Sequence, residues 1–404
     1  MHRRSFLRGA LAMGCSAAAM PLITHATFAS APWENRLVVV ILRGALDGLD
    51  LLRPVGDPGF AALRPRIAAD PGADLDGFFA LHPGLPGLLP LWKAGELGFA
   101  QAVATPYRDK RSHFDGQDLL EAGTAPDAPA ALRREGWLNR LLQTVPGAQA
   151  ETAFAVGREA IPILSGKAPA QNWAPDARLE LSAQGRRLLE EVYHDDPIFR
   201  DAAAEAFELT ELAAAMAESG ADDSGMAAPA PTPAPAGGPL AEVDRFAAYA
   251  AARLREDTRI VALSLAGWDT HRAQIQTIRQ PLQRLERLVL ALREGLGPVW
   301  GQTMLLAMTE FGRTVRENGS QGTDHGTGGA MLMAGGALRG GRVVGKWPGL
   351  DEGALYARRD LMPTSDVRAH AAWAMRGLFG VDRAVLERTV FPGLDMGGDP
   401  GLLR

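Results

Sequence analysis

Arg36-Leu37-Val38-Val39-Val40-Ile41-Leu42, closed by Arg43-Gly44, is the stretch that decides the fold. Its core is an unbroken apolar run, rich in β-branched residues and too short for a helix. Because side chains alternate across a strand, such a run must be buried on both faces, as in parallel sheets covered by helices on each side. Similar runs recur at residues 97–103, 152–156, 260–265, 303–308 and 330–334. Helical patterns lie between them, at 128–142, 184–193, 201–216, 242–254 and 273–292. Alternating strand and helix predicts a three-layer α/β/α sandwich around a largely parallel sheet. Ligands in such sheets sit beyond the carboxyl ends of the strands.

Outward from that core, two segments read differently. Residues 219–240 contain Pro229-Ala230-Pro231-Thr232-Pro233-Ala234-Pro235, which stays extended and cannot bury a core. Strand signals read alike on both sides of it, so it is expected to be a loop within one domain spanning 32–404. At the N-terminus, His2-Arg3-Arg4-Ser5-Phe6-Leu7-Arg8 precedes a weak apolar stretch broken by Gly14 and Pro21. This is the pattern of a twin-arginine export signal over residues 1–31, with cleavage after Ala29 or Ala31. It implies the twin-arginine translocon as a partner during export and a periplasmic or extracellular destination. The apolar stretch is too weak for a permanent transmembrane segment.

Composition narrows the function. The chain has 404 residues, a formal charge of −5 and 6% aromatics. Removing 1–31 takes away three arginines and no acids, so the mature charge falls to −8. Neither charge nor aromatic content suits nucleic acid as a partner. Cys15, the single cysteine, leaves with the signal. Disulfides, thiolate zinc sites and cysteine nucleophiles are thereby excluded from the mature chain.

The chemistry gathers at predicted strand ends. Asp47 follows the first strand. Asp269 and His271 follow the 260–265 strand, in Gly267-Trp268-Asp269-Thr270-His271. An acid and a histidine two residues apart can converge on one cation, or Asp269 can simply cap the next helix. Glu310 and Arg313 follow the 303–308 strand; one is placed as a carboxylate ligand or general base, the other as a fork for an oxyanion. Asp324 and His325 lie in a glycine-rich turn. Ser112 and His113 precede a helix expected at 115–122, where Ser112 is an N-cap or a metal-activated nucleophile. No G-x-S-x-G elbow supports a serine-hydrolase triad.

Taken in order, these segments resemble a known family. Leu42-Arg43-Gly44-x-x-Asp47-Gly48-Leu49, Ser112-His113-Phe114-Asp115-Gly116-Gln117-Asp118, Gly267-Trp268-Asp269-Thr270-His271, Thr309-Glu310-Phe311-Gly312-Arg313-Thr314 and Gly322-Thr323-Asp324-His325-Gly326-Thr327-Gly328-Gly329 span nearly the whole mature chain. They resemble the exported bacterial family called domain of unknown function 1501, itself similar to the alkaline phosphatase and sulfatase superfamily. That resemblance implies an alkaline-phosphatase-like fold and a divalent metal, Zn, Mn or Fe. It further implies hydrolysis of phosphate or sulfate esters, in small molecules or polymers. Asp269, His271 and His325 would form one metal site, with Asp47, Glu310 and Asp324 completing a second. Ser112, or else His113, would be the nucleophile, and Arg313 would offset transition-state charge. Phe311 stands where the superfamily places a histidine ligand, and no Cys-x-Pro-x-Arg sulfatase motif occurs. The alternative is a non-catalytic exported binding or assembly protein that keeps a structural metal.

Overall fold

The computed structural model describes residues 33–108, 110–158, 161–174 and 238–404. The export signal, Cys15, the helices expected at 184–193 and 201–216 and most of the Pro/Ala-rich stretch lie outside them.

The apolar run Arg36–Arg43 forms strand β1. The other strands of its sheet are β2 (Leu97–Ala104), β3 (Ala153–Val156), β4 (Gln171–Trp173), β5 (Ile260–Ala266), β6 (Thr303–Met308), β7 (Gly329–Ala334), β8 (Val343–Val344) and β9 (Ser365–Asp366). These form one sheet in the order β8-β2-β7-β6-β1-β5-β3-β4, with β9 on β2. All ladders are parallel except those of β7, which runs against both β2 and β6.

Burial of β1 on both faces builds the layers. Leu37, Val39 and Ile41 enter a core shared with α2 (Trp137–Gln143) and α5 (Val367–Phe379). Val38, Val40 and Leu42 enter the opposite core, packed by α3 (Gly238–Leu254) and α4 (Arg279–Leu296). Every one of these six side chains is fully buried, and each such burial stabilises by roughly 1.5–3 kcal/mol. The three-layer α/β/α reading holds.

Two helical expectations change. The 128–142 pattern breaks into Ala130–Arg133 and α2. Gly136 intervenes, where an added Cβ would sit 2.0 Å from the Ile163 carbonyl oxygen, so the chain must pass its neighbour without a side chain. The 273–292 pattern starts with Ala273 in the left-handed region (φ 45°) and a single turn at Gln274–Thr277 before α4. In contrast, α1 starts earlier than expected, at His113, and spans His113–Ala122. No helix among the described residues is long and apolar enough to cross a membrane.

Register positions the site. Arg43 pairs with Ala266, and Ile41 with Met308, so β1, β5 and β6 end side by side. Because β7 is reversed, its leading turn at 322–328 reaches the same sheet edge. The segment after β2 delivers the start of α1 there as well.

Candidate metal centre

Asp269 is the centre of the cluster. Three histidines present their Nε2 atoms to its carboxylate: His271 at 3.0 Å and His325 at 3.3 Å from Oδ1, and His113 at 3.5 Å from Oδ2. The ligating atoms of His113, Asp269 and His325 all lie within 4.8 Å of one another. His271 Nε2 lies 2.9 Å from His325 Nε2.

The opposite ring nitrogens explain this orientation. His325 Nδ1 lies 2.9 Å from the Arg111 carbonyl oxygen, which can only accept, so Nδ1 carries a proton. His113 Nδ1 is 2.8 Å from Glu310 Oε1, and His271 Nδ1 is 3.3 Å from Asp324 Oδ1. In the neutral rings of His325 and His113, Nε2 then offers a lone pair, whereas His271 faces a carboxylate oxygen through each of its nitrogens. Imidazole lone pairs and a carboxylate converging on one region make a set that could hold a cation. His113 Nε2 is buried without a hydrogen-bond partner. Nitrogen and oxygen donors with no sulfur suit Zn, Mn or Fe.

Local structure holds each group. Ser112 caps α1, its Oγ accepting from the Asp115 amide at 3.4 Å, and this places His113 in the first turn facing inward. The Phe311 ring stacks on His113 at 5.3 Å between centroids and packs against His325 at 5.1 Å. The residue that cannot ligate therefore braces two residues that can. Gly312 permits the crossing of its loop with the glycine-rich turn, since a Cβ there would meet Gly328 O at 1.9 Å.

The structure places Asp269, His271, His325 and His113 next to one another. It does not gather the second set. Asp47 is buried against Arg64, 2.7 Å from its Nη1, and also accepts from Gln274 Nε2 at 2.7 Å and the Leu49 amide at 3.2 Å. Glu310 is fully buried beneath His113. Asp324 stands half exposed behind His271, held by Asn318 Nδ2 at 3.0 Å. Arg313 is also turned inward. Its guanidinium donates to the carbonyls of Ala45, Gly44, Trp268 and Thr323 and to Asp269 Oδ1 at 2.6 Å. Ser112 takes the N-cap position of α1.

Electrostatics follow this packing. Burial alone would raise the Glu310 carboxyl, but hydrogen bonds from His113, Thr309, Gln117 and its own backbone amide outweigh it and hold it below the usual range. Burial likewise opposes ionisation of Asp269, and Arg313, His271 and His325 together overcome it. The hydrogen bond to Glu310 raises His113. Burial lowers His325.

Sequence reasoning missed Gln117, which donates to Glu310 Oε1 at 3.1 Å, and Glu121, paired with Arg43 at 2.8 Å. A signal was present. His113, Gln117 and Glu121 recur every fourth residue and make one polar stripe on α1. Beside Asp324 runs a groove of 640 Å³, with Leu63, Leu350 and Leu355 in its lining. Arg316, Arg358 and Arg359 line it too, along with Glu317, Asp351 and Glu352.

These motifs, now assembled around one sheet edge, carry the assignment. The model of the family described as "Protein of unknown function (DUF1501)" matches residues 96–382. The chain belongs to the DUF1501 family. The match takes in every cluster residue and starts after β1 and Asp47. None of the curated proteins matches this DUF1501 chain. Among solved structures it is similar to the C-terminal periplasmic domain of EcEptC from Escherichia coli in complex with Zn. That likeness has 10% identity and a TM-score of 0.34, covering 76% of this chain and 75% of that one. It is also similar to a protein in the alkaline phosphatase superfamily from Vibrio parahaemolyticus, with 13% identity, a TM-score of 0.36 and coverage of 91% and 73%. A third is the lipoteichoic acid synthase LtaP from Listeria monocytogenes, at 7% identity and a TM-score of 0.31, covering 72% and 59%.

Proposed function

We propose that this chain is an exported hydrolase of phosphate or sulfate esters that works with a divalent cation. The observation that carries the reading is the convergence of imidazole Nε2 atoms on Asp269, each ring held by its other nitrogen. Asp269, His271 and His325 would hold the cation, as three protein ligands hold catalytic metals, leaving a position open. When bound, the cation supplies Lewis-acid polarisation of the ester.

The chain's own residues would do the rest. His113 stands on the fourth side, with Nε2 free to take the proton of an incoming water. Its Nδ1–H stays on Glu310, whose carboxylate stabilises the imidazolium that forms. Arg313 fixes Asp269 and the surrounding loops, Ser112 fixes the start of α1, and the groove beside Asp324 gives room for the remainder of the ester. The twin-arginine pattern of residues 1–31 supports export by that route, with the Pro/Ala-rich stretch as a loop of the same domain.

One observation favours a second reading, in which the metal is structural. His113 Nε2 also lies close enough to Asp269 to serve as a fourth ligand, and a site closed by four protein side chains has no place for substrate. The test is elemental analysis of protein purified without chelator, with assays on 4-nitrophenyl phosphate and 4-nitrophenyl sulfate. The proposal expects Zn, Mn or Fe in the wild type and in His113→Ala, loss of metal in His271→Ala/His325→Ala, and turnover in the wild type and Ser112→Ala but not in His113→Ala. Absence of metal would overturn it. Stoichiometric metal that His113→Ala releases, with neither ester turned over, would establish the structural reading instead.

A further inference from the structure

The remaining acid of the cluster, Glu310, has a surrounding that neither a ligand nor a surface base would need. Its Oε1 accepts from the Gly44 amide at 3.0 Å, the Ala45 amide at 3.1 Å, Gln117 Nε2 at 3.1 Å and His113 Nδ1 at 2.8 Å. Its Oε2 lies 2.8 Å from the Thr309 hydroxyl. The residue has no solvent exposure. Oε1, with two lone pairs and four donors, has no capacity left for a cation, and Oε2 is shut away from solvent against Thr309. The His113 ring also lies across the path between Glu310 and Asp269, reaching one carboxylate through Nδ1 and approaching the other through Nε2.

We propose that Glu310 is a positioning residue: it locks His113 in the tautomer protonated at Nδ1, and by doing so it closes the place of a second cation, so that the centre takes one divalent ion. This rests on the reading of Asp269, His271 and His325 as a cation site. The tautomer half stands on the hydrogen bonds of Glu310 alone. The physical logic is that of carboxylate–histidine pairs, in which an acceptor on one ring nitrogen decides which lone pair the other presents. Free imidazole has no such constraint. The four donors pre-pay the burial of the carboxylate, so its orientation toward His113 costs nothing further when the site fills.

The test uses the full chain, stripped of metal and then titrated with Zn alone, as wild type, Glu310→Gln and Glu310→Ala. Long-range nitrogen–proton NMR on the metal-free protein, at a pH where His113 is neutral, reads the tautomer. The wild type should give a pyridine-like Nε2 and a pyrrole-like Nδ1. In Glu310→Ala that pattern should be lost, with Nε2 moving toward pyrrole-like; Glu310→Gln, which keeps the shape of the side chain, serves if the alanine variant fails to fold, and should give a mixture. Zinc should bind at one equivalent in the wild type and in each folded variant. Two equivalents in the wild type, falling to one without the Glu310 carboxylate, would overturn the proposal, as would an unchanged His113 tautomer in both variants. Failure to bind zinc at all would sink the cation site and the one-ion half, while the NMR pattern would still decide the role of Glu310.

Discussion

His271 and His325 face one another with their Nε2 atoms 2.9 Å apart, while their Nδ1 atoms point away to Asp324 and to the Arg111 carbonyl. Two ring nitrogens at that distance are held together by a proton between them or by a cation that both ligate, and the proposed centre supplies the cation. Metal should therefore act as a folding ligand. At a free concentration one hundred times its dissociation constant, a cation that binds only the native state adds about 2.7 kcal/mol. Thermal unfolding with excess zinc and with chelator should differ by a few degrees in the wild type and not in His325→Ala. Equal midpoints for the wild type would remove the cation from this account.

Arg313 should matter for stability before it matters for chemistry. Its guanidinium is fully buried and joins the carbonyls after β1 to those after β5 and to Asp269. Lysine keeps the charge but cannot reproduce the fork. Arg313→Lys should lose about 3 kcal/mol by leaving buried carbonyls unpaired, and should weaken metal binding by releasing Asp269. A denaturation midpoint equal to that of the wild type would show that the fork carries no load.

Asp47 and Arg64 form an ion pair in which neither side chain is more than 1% exposed. Removing one partner of such a pair typically costs about 3–5 kcal/mol. Asp47→Asn should therefore lower the unfolding midpoint while leaving the metal content of the folded fraction intact. A folded variant that loses metal in proportion would instead return Asp47 to the ligand role expected from its place after the first strand.

How far the sequence reaches depends on which property is local. The six strands visible as apolar runs all form, within a residue or so of their expected ends, because burial on both faces leaves an unmistakable pattern. The small strand at Val343–Val344 and helix α5 carry weaker local signals and form through their neighbours. At the site, Asp269 and His271 stood out because they follow a strand end, and His325 because it sits beside Asp324 in a glycine-rich turn. Direction was not legible: Glu310 and Arg313 also follow a strand end, yet both turn inward, one to amides and His113, the other to carbonyls. What decides between ligand and support is the set of partners brought from 44, 117, 268 and 323, far apart in the chain. The i, i+4, i+8 stripe of His113, Gln117 and Glu121 was the readable hint that α1 faces a polar site.

Two histidines outside the cluster set an expected pH dependence. Burial pushes His82 and His370 down to about 4. Each has a neutral-ring setting: His82 Nδ1 accepts from the Gly84 amide at 2.8 Å, and His370 Nε2 meets Ser365 Oγ at 3.0 Å. In the unfolded chain both rings take up a proton near pH 6.5. Between that pH and about 4 the unfolded state binds more protons than the native state, so stability rises with pH across this window and is lost as pH falls through it. Each ring can contribute up to about 3 kcal/mol of that loss. The wild type should hold a flat unfolding free energy above pH 6.5 with respect to these rings and weaken steadily below it, measured by urea denaturation of chelator-treated protein so that the metal does not contribute. His370→Gln, which keeps a polar partner for Ser365 but does not titrate, should lower the slope between pH 6.5 and 4 relative to the wild type. An identical slope in that variant would mean that His370 is not held neutral by its surroundings.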